Sequence, residues 1–308
     1  MTISVIVPCF NEEESIPLFF EAMEAVRDQI CDRFEYIFIN DGSTDHTLPI
    51  LRKFSNNYTN VHYISFSRNF GKEAALYAGL QWASGDFVTV MDADLQDPPK
   101  LLIEMKAMLD MNPELDCIGT RRTTREGEPP IRSFFANLFY KLINKISQVE
   151  MVDGARDFRL MRRQMVEAIL EVSEYNRFSK GVFAWVGFNT EYLEYKNVER
   201  VAGKTSWNFW TLFNYSLEGI VNFSDAPLNI AFLGGILSWC LAFILMAVII
   251  ARTLVFGDPT SGWPSLMTII LLIGGFQLLT IGILGKYIGK IFMETKHRPI
   301  YIIKEKSK

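Results

Sequence analysis

The sequence predicts an α/β domain joined to a C-terminal hairpin of two membrane-crossing helices. Short apolar strands and helices alternate through the first 120 residues, the pattern of a mainly parallel sheet covered on both faces. Polar turns follow three of those strands, at 8–13, 40–45 and 92–97. Residues 226–251 and 259–285 contain no Asp, Glu, Lys or Arg, and each exceeds the roughly 20 residues a helix needs to cross a hydrocarbon core.

Ile3–Pro8 is short and apolar and reads as a strand. Glu14–Ile30 opens with acidic residues and reads as a helix, and Tyr36–Asn40 as a strand running into the turn Asn40-Asp41-Gly42-Ser43. Thr44–Phe54 is helical, Val61–Phe66 a strand, and Lys72–Ala83 a helix. Phe87–Met91 runs as a strand into Asp92. Pro99–Met111 is a helix whose prolines suit its first turn, and Asp116–Gly119 is a fifth strand. Thr120–Arg132 is rich in Arg, Glu, Gly and Pro and reads as a loop. A helix over 133–148, a turn and strand over 151–161, a helix over 162–172 and a helix–strand mixture over 181–196 complete the domain. Residues 207–223 carry Trp and Phe on a broad apolar face, which suits a helix lying in a membrane interface; an ordinary core helix is the alternative. The expected division is therefore 1–206 for the α/β domain and 207–226 for the interfacial helix. The hairpin takes 227–290, with spans near 228–252 and 264–288, and a tail takes 291–308.

The net charge of −4 conceals an asymmetry. Residues 1–115 carry 8 Lys and Arg against 18 Asp and Glu, whereas 116–210 carry 15 against 12 and 211–308 carry 8 against 5. The basic part lies next to the spans, where it suits anionic headgroups, and no basic stripe argues for nucleic acid. Lys286, Lys290, Lys296, Arg298, Lys304, Lys306 and Lys308 follow the second run, while the connection Phe256–Pro264 has no Lys or Arg. The positive-inside rule then puts both ends and the head in the cytoplasm. Cys9, Cys31, Cys117 and Cys240 show no CxxC spacing and read as reduced thiols. A strand from residue 3 argues against a secretory leader. Gly234-Gly235, Gly274-Gly275 and the Gly285/Gly289 pair are small-residue positions at which helices can approach closely, within the hairpin or in a homo-oligomer.

Asp92-Ala93-Asp94 sits where an apolar strand ends. Alternation puts positions two apart on one side, so two carboxylates would converge there. Such a pair is costly to ionise unless a cation sits with it. A hard divalent ion, Mg2+ or Mn2+, held by one or two carboxylates and completed by substrate phosphates, meets that need, and Gln96 offers a further oxygen. His46, His62 and His297 lack ligand spacing.

PCFNEEESI (8–16), INDGSTDHT (39–47), SRNFGKEAALYAGL (67–80) and DADLQDPP (92–99) together resemble a family 2 glycosyltransferase with the GT-A fold, a Rossmann-like, mainly parallel sheet. DFRLMRR (157–163), ERVAGKTSWNFW (199–210), the two apolar runs and RPIYII (298–303) extend the resemblance along the whole chain, to the polyprenyl-phosphate glycosyltransferases, the bactoprenol glucosyltransferase group related to dolichyl-phosphate mannose synthases.

The resemblance implies residue roles. Pro8, Asn11, Glu13, Asp41, Arg68, Lys72 and Asp92 would bind the nucleotide, with Asp41 receiving uracil and Arg68 and Lys72 near the phosphates or ribose. Asp92, Asp94 and Gln96 would hold the metal, and Asp157, with Asp94, would serve the reacting centre. Arg121, Arg122, Arg125, Arg132, Arg200 and Lys204 would receive the acceptor phosphate. Simpler roles compete: Asn11 and Asp45 as helix caps, Asp41 in its own Asx turn, Arg121 and Arg122 as a solvated face, and Asp157 paired with Arg156 or Arg159. Two positions depart from the family pattern: Arg156 stands where Gly is common before the Asp of DFRL, and Thr205-Ser206 stand where Ser/Thr-Lys usually precedes the Trp.

The expected reaction transfers a sugar, glucose first, from a UDP-sugar to undecaprenyl or another polyprenyl phosphate at the cytoplasmic face. One in-line displacement converts an α-linked donor into a β-linked lipid-phosphate sugar. UDP-N-acetylglucosamine, UDP-galactose and GDP-mannose are alternative donors. A processive synthase would show a QxxRW motif and more spans. A scaffold without activity would not need the acidic and basic residues together.

Overall fold

In a computed structural model the chain is described over residues 1–123, 141, 143–147, 149, 151–195, 219–256 and 262–307. The α/β part runs β1 (Thr2–Cys9), α1 (Ser15–Arg27), β2 (Arg33–Asn40), α2 (Thr47–Asn57), β3 (Val61–Phe66), α3 (Lys72–Trp82), β4 (Phe87–Val90), α4 (Leu101–Met111) and β5 (Cys117–Arg122). It continues with β6 (Ala155–Arg162), α5 (Arg163–Glu171), α6 (Ser179–Trp185) and β7 (Thr190–Tyr195). Two long helices follow, α7 (Ala226–Phe256) and α8 (Trp263–Thr295), and then β8 (Ile303–Lys306). The predicted elements of the first 120 residues are all present, with ends shifted by a few residues.

The strands form one sheet in the order β7-β5-β6-β4-β1-β2-β3-β8. Neighbours β4, β1, β2 and β3 are parallel, as are β5 and β7. Strand β6 runs antiparallel between β4 and β5, and β8 runs antiparallel along the outer edge of β3. Alternation sorts the side chains into two cores. Ile3, Val5, Val7, Tyr36 and Phe38 face α1 and α4, while Ile6, Ile37 and Ile39 face α3 and α5, as expected of strands covered on both faces. Pro8 lies beyond the last β1–β4 pair, Ile6 with Val90, so its missing N–H breaks no rung on that side.

The region expected as a tail supplies β8. Arg52 grips Glu305 through Nε and Nη2 at 2.8 and 2.6 Å, Tyr301 stacks on Phe66 with ring centroids 4.8 Å apart, and its hydroxyl reaches Gln81 at 2.8 Å. An exposed edge strand invites unwanted pairing; here the chain returning from α8 covers it.

Within α7 and α8, 226–245 and 272–295 are apolar and long enough to span a membrane, and almost none of either stretch is buried. They are therefore not core helices of the α/β domain. Of the glycines singled out in these runs, Gly234 makes a close approach: a Cβ there would lie 2.4 Å from the Phe276 ring. Gly235, Gly274, Gly275, Gly285 and Gly289 face open space. Most of the expected interfacial helix, 207–218, lies outside the described residues; 219–223 is helical.

Candidate active site

The carboxyl ends of β1, β2, β3 and β4 release their loops along one edge of the sheet, the usual location of ligands on such folds. The first three loops are laced together. Asn11 has a φ of +57°; its N–H donates to Ser43 Oγ at 2.9 Å and its Oδ1 accepts from the Thr44 N–H at 2.8 Å. Glu13 accepts from the His46 N–H at 2.8 Å, and its own N–H donates to Asp45 at 3.2 Å. Asp45 also accepts from the Thr47 N–H at 3.0 Å, a local turn contact just before α2, whose N-cap is His46. Asp41 is buried and accepts from the Phe70 and Gly71 N–H groups at 2.6 and 2.9 Å. Burial raises the Asp41 pKa, and these two hydrogen bonds oppose the rise. The Asx-type turn belongs to Asn40, whose Oδ1 accepts from the Ser43 N–H. Gly42, at φ +67°, packs so tightly on Arg68 that a Cβ would lie 2.4 Å from its carbonyl carbon. Arg68 lays its guanidinium over Phe70, 4.1 Å from the ring centroid.

Strand β4 ends at Val90, so Asp92, Asp94 and Gln96 lie in the turn beyond it, and alternation along a strand does not place them. Leu95 takes φ +56°, and the buried Asp94 accepts from the Gln96 N–H at 3.1 Å. Asp92 instead meets a distant residue. The antiparallel register pairs Val90 with Arg159; continued two steps past the end of β4, it sets Asp157 opposite Asp92. Lys72, first residue of α3, joins them: Nζ lies 2.7 Å from Asp92 Oδ1, 2.9 Å from Asp92 Oδ2 and 2.7 Å from Asp157 Oδ2. The positive end of the α3 dipole favours anions at the same place.

Burial alone would lower the Lys72 pKa, but Asp157 and Asp92 outweigh it and hold the pKa well above the usual lysine value. Burial would raise that of Asp157; the charges of Lys72 and Lys180 outweigh it and hold this carboxyl well below the usual range. Asp157 therefore has Lys72 as its close ion-pair partner, and the Arg156 charge adds a smaller attraction. Arg159 stacks on Phe183, 3.6 Å from the ring centroid, and Arg156 bonds Asp97 at 3.1 Å.

Asp97 is a hub the sequence did not single out. It is buried, accepts from the Tyr195 hydroxyl and from Arg156, and has Arg122 at 3.9 Å. Arg122 donates to Gln96 Oε1 at 3.3 Å, which brings an expected acceptor-side cation against an expected metal-side amide. Arg121 turns instead to the Asp153 carbonyl at 3.0 Å. Glu73 was also missed, although it sits inside the GKEAAL stretch. Burial pushes its pKa up to about 7 against the hydrogen bonds from Ser179. Arg125, Arg132, Arg200 and Lys204 lie outside the described residues.

Among the described residues no group of three or more His, Cys, Asp or Glu side chains gathers as a metal site. Asp92, Asp94 and Gln96 offer oxygen donors only, a set that fits a hard divalent ion whose shell substrate phosphates would complete.

The family model described as Glycosyl transferase family 2 matches residues 4–170. The chain is 45% identical over 313 residues to the bactoprenol glucosyl transferase of Shigella phage SfV, covering 100% of both chains. It is 43% identical to the prophage bactoprenol glucosyl transferase homolog of Escherichia coli (strain K12), again over 100% of both. It is also 43% identical to the putative glycosyltransferase CsbB of Bacillus subtilis (strain 168), over 98% of this chain and 91% of that one. In structure it is similar to the mannosyltransferase PcManGT from Pyrobaculum calidifontis, solved with GDP-Man and Mn2+. The TM-score is 0.50 at 18% identity, covering 95% of this chain and 86% of that one, a likeness of fold.

Proposed function

Because the chain belongs to glycosyl transferase family 2, we propose that this glycosyltransferase moves glucose from UDP-glucose to a polyprenyl phosphate such as undecaprenyl phosphate. The observation that carries the reading is the end-to-end identity with proteins named for glucosyl transfer to bactoprenol. The chain's two long apolar helices suit an acceptor that lives in a bilayer.

The acceptor is a phosphate monoester, mostly dianionic at neutral pH because its second pKa is about 6. It attacks the anomeric carbon in line; the bond from that carbon to the donor diphosphate breaks, and the configuration inverts from α to β. A dianionic nucleophile needs positioning by cations more than a base. Asp157 fits that division of labour: Lys72 and Lys180 hold it ionised, which makes it a poor proton acceptor and a good fixed anion for orienting groups. Arginines grip phosphate bidentately; Arg122 is one such candidate, with Arg121, Arg125, Arg132 and Arg200, and Lys204 would add a point charge. Pro8, Asn11, Glu13, Asp41 and Arg68 frame the nucleotide side, where Asp41 fixes the loop after β3 as well as facing the base. Asp92, Asp94 and Gln96 would hold Mg2+ or Mn2+, which when bound neutralises charge on the departing diphosphate.

The positive-inside rule is what favours the cytoplasm for the head and both termini, and strand β8 supports only their lying on one side. The chain entering α7 comes from the α/β domain, and the chain leaving α8 rejoins its sheet, so both ends of the hairpin emerge on one side. The proposed division is 1–206 for the glycosyltransferase domain, 207–226 for an interfacial helix, 227–290 for the hairpin and 291–308 for a terminal segment, of which Ile303–Lys306 form β8.

The test is a donor screen with purified full-length protein in nanodiscs, undecaprenyl phosphate and Mg2+ or Mn2+. UDP-glucose should give a β-linked lipid-phosphate glucose. Transfer only from UDP-N-acetylglucosamine, UDP-galactose or GDP-mannose would overturn the sugar assignment, and no transfer from any of them would overturn the reaction.

A further inference from the structure

The second long helix ends on a residue in an adverse place. Glu294 is the penultimate residue of α8, where the negative end of the helix dipole disfavours a carboxylate. Glu174 stands close by: burial first, and then the Glu294 charge, raise its pKa. What Glu294 gains there is a set of donors from the segment before α6. It accepts from the Tyr175 N–H at 3.0 and 3.1 Å, from the Asn176 N–H at 3.2 Å and from the Asn176 side-chain amide at 3.4 Å. Hydrogen bonds to an ionised acceptor are the stronger kind. The same segment is held from a second direction, since Asn222 Nδ2 donates to the Asn176 carbonyl at 2.8 Å and Lys290 of α8 donates to Asn222.

From Asn176 the chain reaches the candidate active site within four residues, a span of at most about 14 Å when extended. The Ser179 N–H and hydroxyl bond Glu73, the neighbour of Lys72, with the N–H at 2.9 Å. Lys180 donates to the Ala155 carbonyl at 3.1 Å and is one of the two lysines that keep Asp157 ionised. Tyr175, Asn176 and Arg177 also wall a cavity of about 230 Å³ shared with Arg68, Phe70 and Glu73.

We propose that Glu294 is a positioning residue: by clamping Tyr175 and Asn176 it sets Ser179 and Lys180 against Glu73 and Asp157, so the membrane hairpin is part of the active-site frame as well as its tether. The proposal rests on the reading above that Asp157 stands by the reacting centre.

The experiment compares full-length wild type, Glu294→Ala and Glu294→Gln in nanodiscs by amide hydrogen exchange and by steady-state transfer. Glu294→Ala should speed exchange at Tyr175 and Asn176 with β1 unchanged. It should lower kcat about tenfold, as expected of a displaced active-site group, with KM for the donor within about twofold. Glu294→Gln keeps a carbonyl acceptor on the same stem and should recover most of the rate. Unchanged exchange in 175–180 would overturn the clamp. Faster exchange with wild-type kcat, or equal losses in both variants, would overturn the positioning role. A wild type inactive with every donor would sink the function reading alone, and the clamp would still stand or fall by the exchange rates.

Discussion

The carboxylates of Asp92 and Asp157 meet on one ammonium, with Lys72 Nζ 2.7 Å from an oxygen of each. Asp157 lies in β6 and Asp92 in the turn after β4, and the antiparallel register of the two strands, continued two steps past Val90, sets them opposite one another. Removing Lys72 takes away the cation that both carboxylates contact, leaving Lys180 and Arg156 as the remaining positive charges acting on Asp157. Lys72→Met should lower kcat/KM by roughly 100-fold, about 2.7 kcal/mol of transition-state stabilisation. Lys72→Arg should recover part of it by restoring the charge with a different reach. Initial-rate measurements over donor concentration check this, and wild-type kcat/KM in Lys72→Met would remove Lys72 from the site.

Asp94 is buried in the turn after β4 and is tied to the Gln96 N–H. Asp94→Ala should abolish transfer, a loss of about 1,000-fold or more if a divalent ion depends on it. Chelation with EDTA should silence the wild type, and Mg2+ or Mn2+ should restore it. Wild-type turnover by the Asp94 variant would refute the metal assignment.

Glu73 gives a pH dependence with a defined sign. Burial pushes its pKa from 4.5 up to about 7 in the folded protein, so the folded state binds a proton that the unfolded state has released. Stability from this group is full below pH 4.5 and is lost as pH rises through about 7. Glu73→Gln does not titrate. The melting temperature of the variant relative to wild type should therefore climb between pH 5 and pH 8, read by thermal unfolding in one detergent. A constant difference across that range would show that Glu73 does not titrate there.

The terminal segment makes a stability prediction. Deleting 300–308 removes β8, the Arg52–Glu305 pair and the Tyr301–Phe66 stack and uncovers the edge of β3. The pair is largely exposed and adds little. The stack and strand should be worth about 1–2 kcal/mol, a fall of several degrees in melting temperature for a domain of this size. An unchanged melting temperature would show the strand to be a passive end.

Much of the molecule was legible in order along the chain. Strands β1 to β4 and helices α1 to α4 follow from apolar periodicity and turn residues, because burial on a strand or helix repeats locally. The two apolar helices follow from composition alone. The antiparallel insertion of β6 and the return of β8 did not follow: both are pairings between distant segments, and periodicity records which face is buried, not which strand lies beside it. The motif residues were recognisable singly, but their partners were not. Asp41 ties down the loop at Phe70 and Gly71, and Arg156, out of pattern with the family, answers the buried Asp97.

The sequence by itself determined an α/β glycosyltransferase of family 2 with two long apolar helices, since local burial patterns and ordered motifs are written residue by residue. Only the tertiary structure decided that Lys72 bridges Asp92 and Asp157, that Asp97 gathers Arg156, Arg122 and Tyr195, and that Glu294 at the end of a long apolar helix accepts from Tyr175 and Asn176. The physical reason is that Coulomb and hydrogen-bond energies depend on distances of a few ångströms between groups far apart in the chain, and the register of the sheet sets those distances.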